Sequence, residues 1–200
     1  MDRINDVGEL TPQMQDKVNA FLLECYKQGV DVYPFETIRS QERQLHLAGK
    51  NRTIAECIAL GMTPGEAEVH SNPSSPMKRT WTLNSKHKAG KACDFAFGGD
   101  GLWHWNGDWD KMIEIAKDFG LDSLAPTESA HLQDNGKPLT KKQMTDYTQM
   151  AEAVGVLTAL TGDDNLQEKQ IKALINIGCN RLKDQIKEDL IKEIVEKLQK

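Results

Sequence analysis

The sequence predicts an α+β fold: a small, mainly antiparallel sheet with packed helices, followed by a C-terminal helical appendage. Three observations lead there. Apolar residues recur at helical spacing near the start of the chain; strict alternation appears at Ala92–Phe97 and again at His131–Gln133; and an apolar stripe at helical spacing runs through the last third. The expected division is a domain over residues 1–150 and a helical region over 151–200.

Each element has a local reason. Thr11-Pro12 ahead of Met14, Val18, Phe21, Leu22 and Cys25 predicts a helix, with a capping residue before it and Gly29 after it. Val30 to Phe35 reads as a short strand leading to Arg39. Arg39 to Gly49 has the pattern of a second helix with Ser40 as cap, which sets Arg39 at its entrance. Thr53 to Leu60 predicts another helix, and Thr63-Pro64 opens one more with proline in the first helical position. Ser71 to Pro76 is a loop by composition.

In the strand Ala92–Phe97, alternation sends Cys93, Phe95 and Phe97 toward a core and Asp94 the other way, into a cleft. Gly90 permits a tight turn or close backbone approach, so that His87 and Asp94 can fold back on one point. The second alternating stretch puts His131 and Gln133 on one face and Leu132 on the other. Glu128, just past Pro126, is expected on the approach loop. Two histidines and an aspartate can fill three positions of a tetrahedral zinc and leave the fourth to water, the pattern of a catalytic rather than a structural site. Glu128 is then the spare carboxylate and candidate base. The plainer alternative is a pair of core or surface histidines beside an unrelated aspartate.

Composition narrows the class. With 200 residues, 38% hydrophobic and 28% charged, the chain suits one well-buried domain plus an appendage. A net charge of −5 gives no indication of nucleic-acid binding. Met1 to Gly8 lacks a cationic start followed by an apolar stretch, and no segment approaches the roughly 20 apolar residues that span a bilayer, so a soluble product made in the cytoplasm without stable membrane insertion is expected. Cys25, Cys57, Cys93 and Cys179 show no Cys-x-x-Cys spacing and read as reduced, mostly buried thiols. In the last third, Ile171, Leu174, Ile175, Leu182, Ile186, Leu190, Ile194 and Leu198 form the stripe, with a mildly basic opposite face. Packing on the first domain, self-association through 166–200, or targeting is expected of it.

Ser85, His87, Gly90, Ala92 and Asp94, the later Glu128-x-x-His131 and the upstream Arg39-Ser-x-x-Arg-Gln44 together resemble the peptidoglycan-cleaving zinc peptidases of the VanY and phage L-alanyl-D-glutamate endopeptidase type. Trp103-His-Trp105 and Trp109 to Leu121 resemble the helix those endolysins place between their two metal-ligand segments. The resemblance covers roughly residues 10 to 140. It implies a D,D-peptidase- and hedgehog-like fold, zinc held by His87, Asp94 and His131, and Glu128 as general base. It further implies that Arg39 steadies the substrate carbonyl and the oxyanion formed from it, and that Ser85 and Gln44 are supporting, substrate-binding positions in the cleft. The expected activity is that of a zinc metallopeptidase hydrolysing the peptidoglycan stem peptide, foremost at the L-Ala–D-Glu bond. The alternatives are a D,D-carboxypeptidase or dipeptidase acting on terminal D-Ala, a non-catalytic metal-bound binding module, and a virion-associated component. By the same resemblance the chain would leave the host cytoplasm by holin-type release and act in the periplasm or cell wall. Asp122 to Pro126 and Ala130 depart from the family pattern, and residues 50–84 form an insertion expected to shape the substrate groove.

Overall fold

Proline at the first helical turn opens α1, Pro12–Lys27, and left-handed Gly29 closes it. Thr11 is the N-cap by position but makes no side-chain capping bond; its hydroxyl and amide both donate to the Gly90 carbonyl instead. A computed structural model of the chain describes residues 3–77, 80–98 and 103–148, so the expected appendage over 151–200 lies outside the described residues. Beyond α1 come β1 (Val32–Glu36), α2 (Gln41–Gly49), α3 (Ile54–Ala59), α4 (Pro64–His70) and β2 (Ala92–Phe97), then α5 (Trp109–Asp118), β3 (Leu121–Leu124) and β4 (Glu128–Asp134). The four strands form one antiparallel sheet in the order β1-β2-β4-β3. The α+β reading therefore holds.

The core lies on one face of that sheet. Cys93, Phe95, Phe97 and Leu132 are buried there against Met14, Val18 and Phe21 of α1 and Met112, Ile115 and Ala116 of α5. Phe21 meets Phe95 edge-on, with ring centroids 5.2 Å apart. Lys17, on the buried side of α1, donates to the Gly120 carbonyl at 3.1 Å and pairs with Asp134 at the end of β4, so its charge is compensated in the interior.

The helices α2, α3 and α4 enclose a second cluster of Leu45, Ala48, Cys57, Met62 and Ala67. Thr53 with Glu56, and Thr63 with Glu66, close reciprocal capping boxes at the starts of α3 and α4. Gly49 ends α2 where a Cβ would lie 1.8 Å from the His70 carbonyl oxygen, so only glycine lets these two helix ends meet. Ser40 accepts from the Arg43 amide, as expected of a cap. Residues 50–84 contribute α3 and α4 to this helical lobe, and Thr80 to Lys86 run along one wall of a cleft.

Candidate metal centre

Strand pairing assembles most of the centre. Asp94 of β2 stands directly opposite His131 of β4, so both side chains leave the sheet on the same face, away from the core. On the other side of β2, an irregularity between Pro34 and Glu36 brings Glu36 rather than Phe35 opposite Asp94. Glu36, Asp94 and His131 thus form one row across three strands. His87 does not come from the sheet; it sits in a 3₁₀ turn, Lys86–Ala89, just before β2. Ser85 accepts from the His87 amide to start that turn, and Gly90, at φ 63°, ends it in the left-handed conformation glycine tolerates.

The three donor atoms form a small triangle. His87 Nε2 lies 3.1 Å from Asp94 Oδ1 and 3.2 Å from His131 Nδ1, and His131 Nδ1 lies 3.0 Å from Asp94 Oδ1. Metal–ligand bonds of about 2.0–2.1 Å in a tetrahedron put neighbouring ligands roughly 3.3–3.4 Å apart, so the triangle has the size of one tetrahedral face. His87 is fully buried and His131 nearly so. Among the described residues these are the one group of three or more His, Cys, Asp or Glu side chains able to hold a metal ion.

The surroundings fix which atoms face inward. His87 Nδ1 donates to the Thr37 carbonyl at 2.6 Å, which leaves Nε2 as the lone-pair atom of the neutral ring. Thr37 is itself anchored, donating through its amide to Ile4 and through its hydroxyl to Ile4 and Asp6. His131 Nε2 faces Gln133 Oε1 at 3.4 Å, so its Nδ1 is the inward lone pair. Asp94 Oδ2 accepts from Arg39 Nη2 at 2.6 Å, leaving Oδ1 for the centre. Burial works to raise the Asp94 carboxyl, but the His131 and His87 rings against it and the Arg39 guanidinium hold it well below the usual carboxylate range. With both rings neutral, three acceptors converge on one point, an arrangement that a bound metal cation relieves. Two imidazoles and a carboxylate suit zinc, and leave a tetrahedral position over for another ligand.

The other expected site residues are placed as follows. Glu128 is the first residue of β4 rather than part of a loop. Pairing with β3 shifts by three residues between Leu124↔Glu128 and Ser123↔Leu132, and this irregularity re-aims the start of the strand. Glu128 lines the same cleft as Asp94 and His131, a space of about 980 Å³. Ser85 also lines it. Arg39 lines it too, but its Nε donates to Glu36 Oε2 at 2.6 Å while its Nη2 holds Asp94, so its donors are directed at protein carboxylates. Gln44, expected at the cleft, is fully buried beneath it, donating to Thr80 Oγ1 at 3.1 Å and to the Thr82 carbonyl at 2.7 Å. It props the wall that Thr80 and Thr82 present, because α2 turns its Gln44 side inward.

Sequence reasoning gave no role to Glu36, Thr37 or Arg43. Glu36 is 3% exposed and lies between two arginines, accepting from Arg43 Nε at 2.9 Å as well as from Arg39. The spacing Glu36, Arg39, Arg43 is a charge pattern that could have signalled the network; the Thr37 carbonyl carries no side-chain signal at all.

No family model matches the sequence, and no curated protein matches it. Among solved structures the chain is similar to a vancomycin-resistance D,D-pentapeptidase VanY in complex with Zn(II), at 18% identity over 74% of this chain and 82% of that one, with a TM-score of 0.42. It is similar to VanYB in complex with D-alanine-D-alanine at 19% identity, the same coverage and the same TM-score. It is also similar to the LdcB LD-carboxypeptidase, at 16% identity over 74% and 68% of the two chains, with a TM-score of 0.41. Likeness at this level does not make the chain a member of their family; the chemistry of the centre follows from its own side chains.

Proposed function

We propose that the protein is a zinc-dependent peptidase that hydrolyses the stem peptide of peptidoglycan, with the L-Ala–D-Glu bond as its target. The observation that carries the metal part is the closed triangle of His87 Nε2, Asp94 Oδ1 and His131 Nδ1 at the floor of an open cleft that also holds Glu128. The peptidoglycan part rests on the sequence motif around those residues.

Zinc held by His87, Asp94 and His131 would polarise a scissile carbonyl and bring the pKa of a water molecule toward neutrality. Glu128 takes the proton from the attacking water and returns it to the leaving amine, a role usually worth about 10²–10⁴ in rate. Arg39 orients Asp94 through Oδ2 and is itself held by Glu36, so it is a positioning residue in this reading. Thr37 fixes the His87 ring, and Gln133 the His131 ring. Ser85 holds the turn that delivers His87.

Purified murein incubated with the protein, with and without a chelator, tests the proposal. New amino termini at L-Ala–D-Glu junctions, seen by mass spectrometry and lost on chelation, are the expected result. Release of terminal D-Ala would instead make the protein a carboxypeptidase, and intact stems in both tubes would refute hydrolysis altogether.

A further inference from the structure

The charge of the cleft is opposite to that of the molecule. The chain carries a net −5, yet among the described residues five cations, Arg3, Arg39, Arg43, Lys50 and Lys86, line the cleft against three carboxylates. Two of those carboxylates are already engaged: Glu36 with Arg39 and Arg43, and Asp94 with Arg39. Arg39 is committed to this network through both Nε and Nη2. Arg43, four residues on, commits only Nε, and its terminal nitrogens have no bonded partner among the described residues. A guanidinium offers five donors in a planar fork, so Arg43 keeps the bidentate edge that fits a carboxylate.

Helix geometry extends the feature. Arg43 and Leu47, four residues apart, share one face of α2, Lys50 follows directly after its last residue, and all three line the cleft. Lys86, beside His87, lines it too, and neither lysine has an acidic partner within bonding distance among the described residues. The wall lies close to the centre, since Arg43 shares Glu36 with the arginine that holds Asp94.

Resting on the peptidase reading above, we infer that Arg43, with Lys50 and Lys86, is a carboxylate-reading wall, so that the substrate is an acidic peptide whose free carboxylate lies next to the cleaved bond. Arg43, rather than Arg39, is the arginine that touches it. The assignment makes the protein discriminate between a stem peptide with a free D-Glu α-carboxylate and one in which that group is an amide, because amidation removes the charge while keeping the shape.

Equilibrium binding separates this inference from the reaction itself. Zinc-loaded Glu128→Gln protein is titrated with L-Ala-γ-D-Glu-L-Lys and with its α-amide, using the tryptophan fluorescence of Trp81 and Trp105, both of which line the cleft. The acid is expected to bind about tenfold more tightly than the amide. Arg43→Gln should bring that ratio to within about twofold. Since Arg43 also holds Glu36, Lys50→Gln combined with Lys86→Gln serves as a second variant that leaves the Glu36 network whole, and it should lower the ratio severalfold. Equal binding of acid and amide to the parent protein, no binding of either, or an unchanged ratio in both variants would overturn the inference. Murein hydrolysis by the unsubstituted protein is scored separately: loss of the ratio in Arg43→Gln without any hydrolysis would uphold the acidic-ligand wall and sink the peptidase reading.

Discussion

Replacing Asp94 with asparagine gives the sharpest test of the converging-acceptor geometry. The substitution keeps the shape of the side chain and exchanges one oxygen for an amide nitrogen. Arg39 Nη2, 2.6 Å from Oδ2, selects the amide oxygen for that side, which turns the NH₂ group toward His87 Nε2 and His131 Nδ1 at the present 3.1 and 3.0 Å. Two N–H···N bonds then occupy the space a cation would fill. Each is worth about 0.5–1.5 kcal/mol, which offsets part of what is lost at Arg39, where the bond is still donated by a charged group and keeps a worth of about 1.5–3 kcal/mol. Metal-free Asp94→Asn should therefore lie within about 2 kcal/mol of the metal-free parent. The zinc response differs far more. At a zinc concentration a thousand times its Kd, the parent gains about 4.1 kcal/mol. For a domain of this size that is a rise in Tm of about 8–16 °C. Asp94→Asn should show almost none, its site being neutral and already filled by N–H groups. The assay is thermal unfolding of chelator-stripped protein with and without added zinc, with metal content measured in parallel. A zinc-dependent rise in Tm equal to the parent's would remove Asp94 from the ligand set, and a metal-free variant destabilised by more than about 3 kcal/mol would refute the account of the lone pairs.

Glu128→Gln should keep full zinc content and the zinc-dependent Tm while losing about 10²–10⁴ in turnover on murein, and His87→Ala should lose both metal and turnover. Asp134→Ala should cost about 3–5 kcal/mol, read by chemical denaturation, since it leaves the ammonium of Lys17 buried with only the Gly120 carbonyl. Lys17→Met in the same chain should recover much of that loss. Burial works to raise the Asp134 carboxyl, but Lys17, the Gly136 amide and the charges of Lys17 and Lys91 bring it below its ordinary value. A group depressed in this way stabilises the fold at pH above its unfolded value, and the contribution disappears as pH falls through the folded one. The stability gap between the parent and Asp134→Ala should accordingly narrow below about pH 4, and a gap that widened on acidification would contradict the pairing.

Much of the site was legible because its signals are local. Alternation in Ala92–Phe97 depends only on residues two apart, so the inward path of Cys93, Phe95 and Phe97 and the opposite aim of Asp94 follow from the sequence. The same holds for Ser40 as a cap, for the turn at Gly90, and for Thr53 and Thr63 as helix starts. The position of Glu128 in a strand was less legible, since that strand exists through a pairing with Leu124 three residues out of step with its neighbours. β3 was likewise invisible as a strand: Leu121–Leu124 is short, half polar and lies at the sheet edge.

By itself the sequence determined which side chains could bind a metal and which face of each strand they would occupy, because side-chain direction is set by backbone period. Only the tertiary structure decided that Glu36 joins their row, that Arg39 is tied to two carboxylates and that Gln44 lies beneath the cleft. Those outcomes depend on strand register and helix rotation, which are fixed by contacts between segments distant in the chain, so that local spacing alone does not settle them.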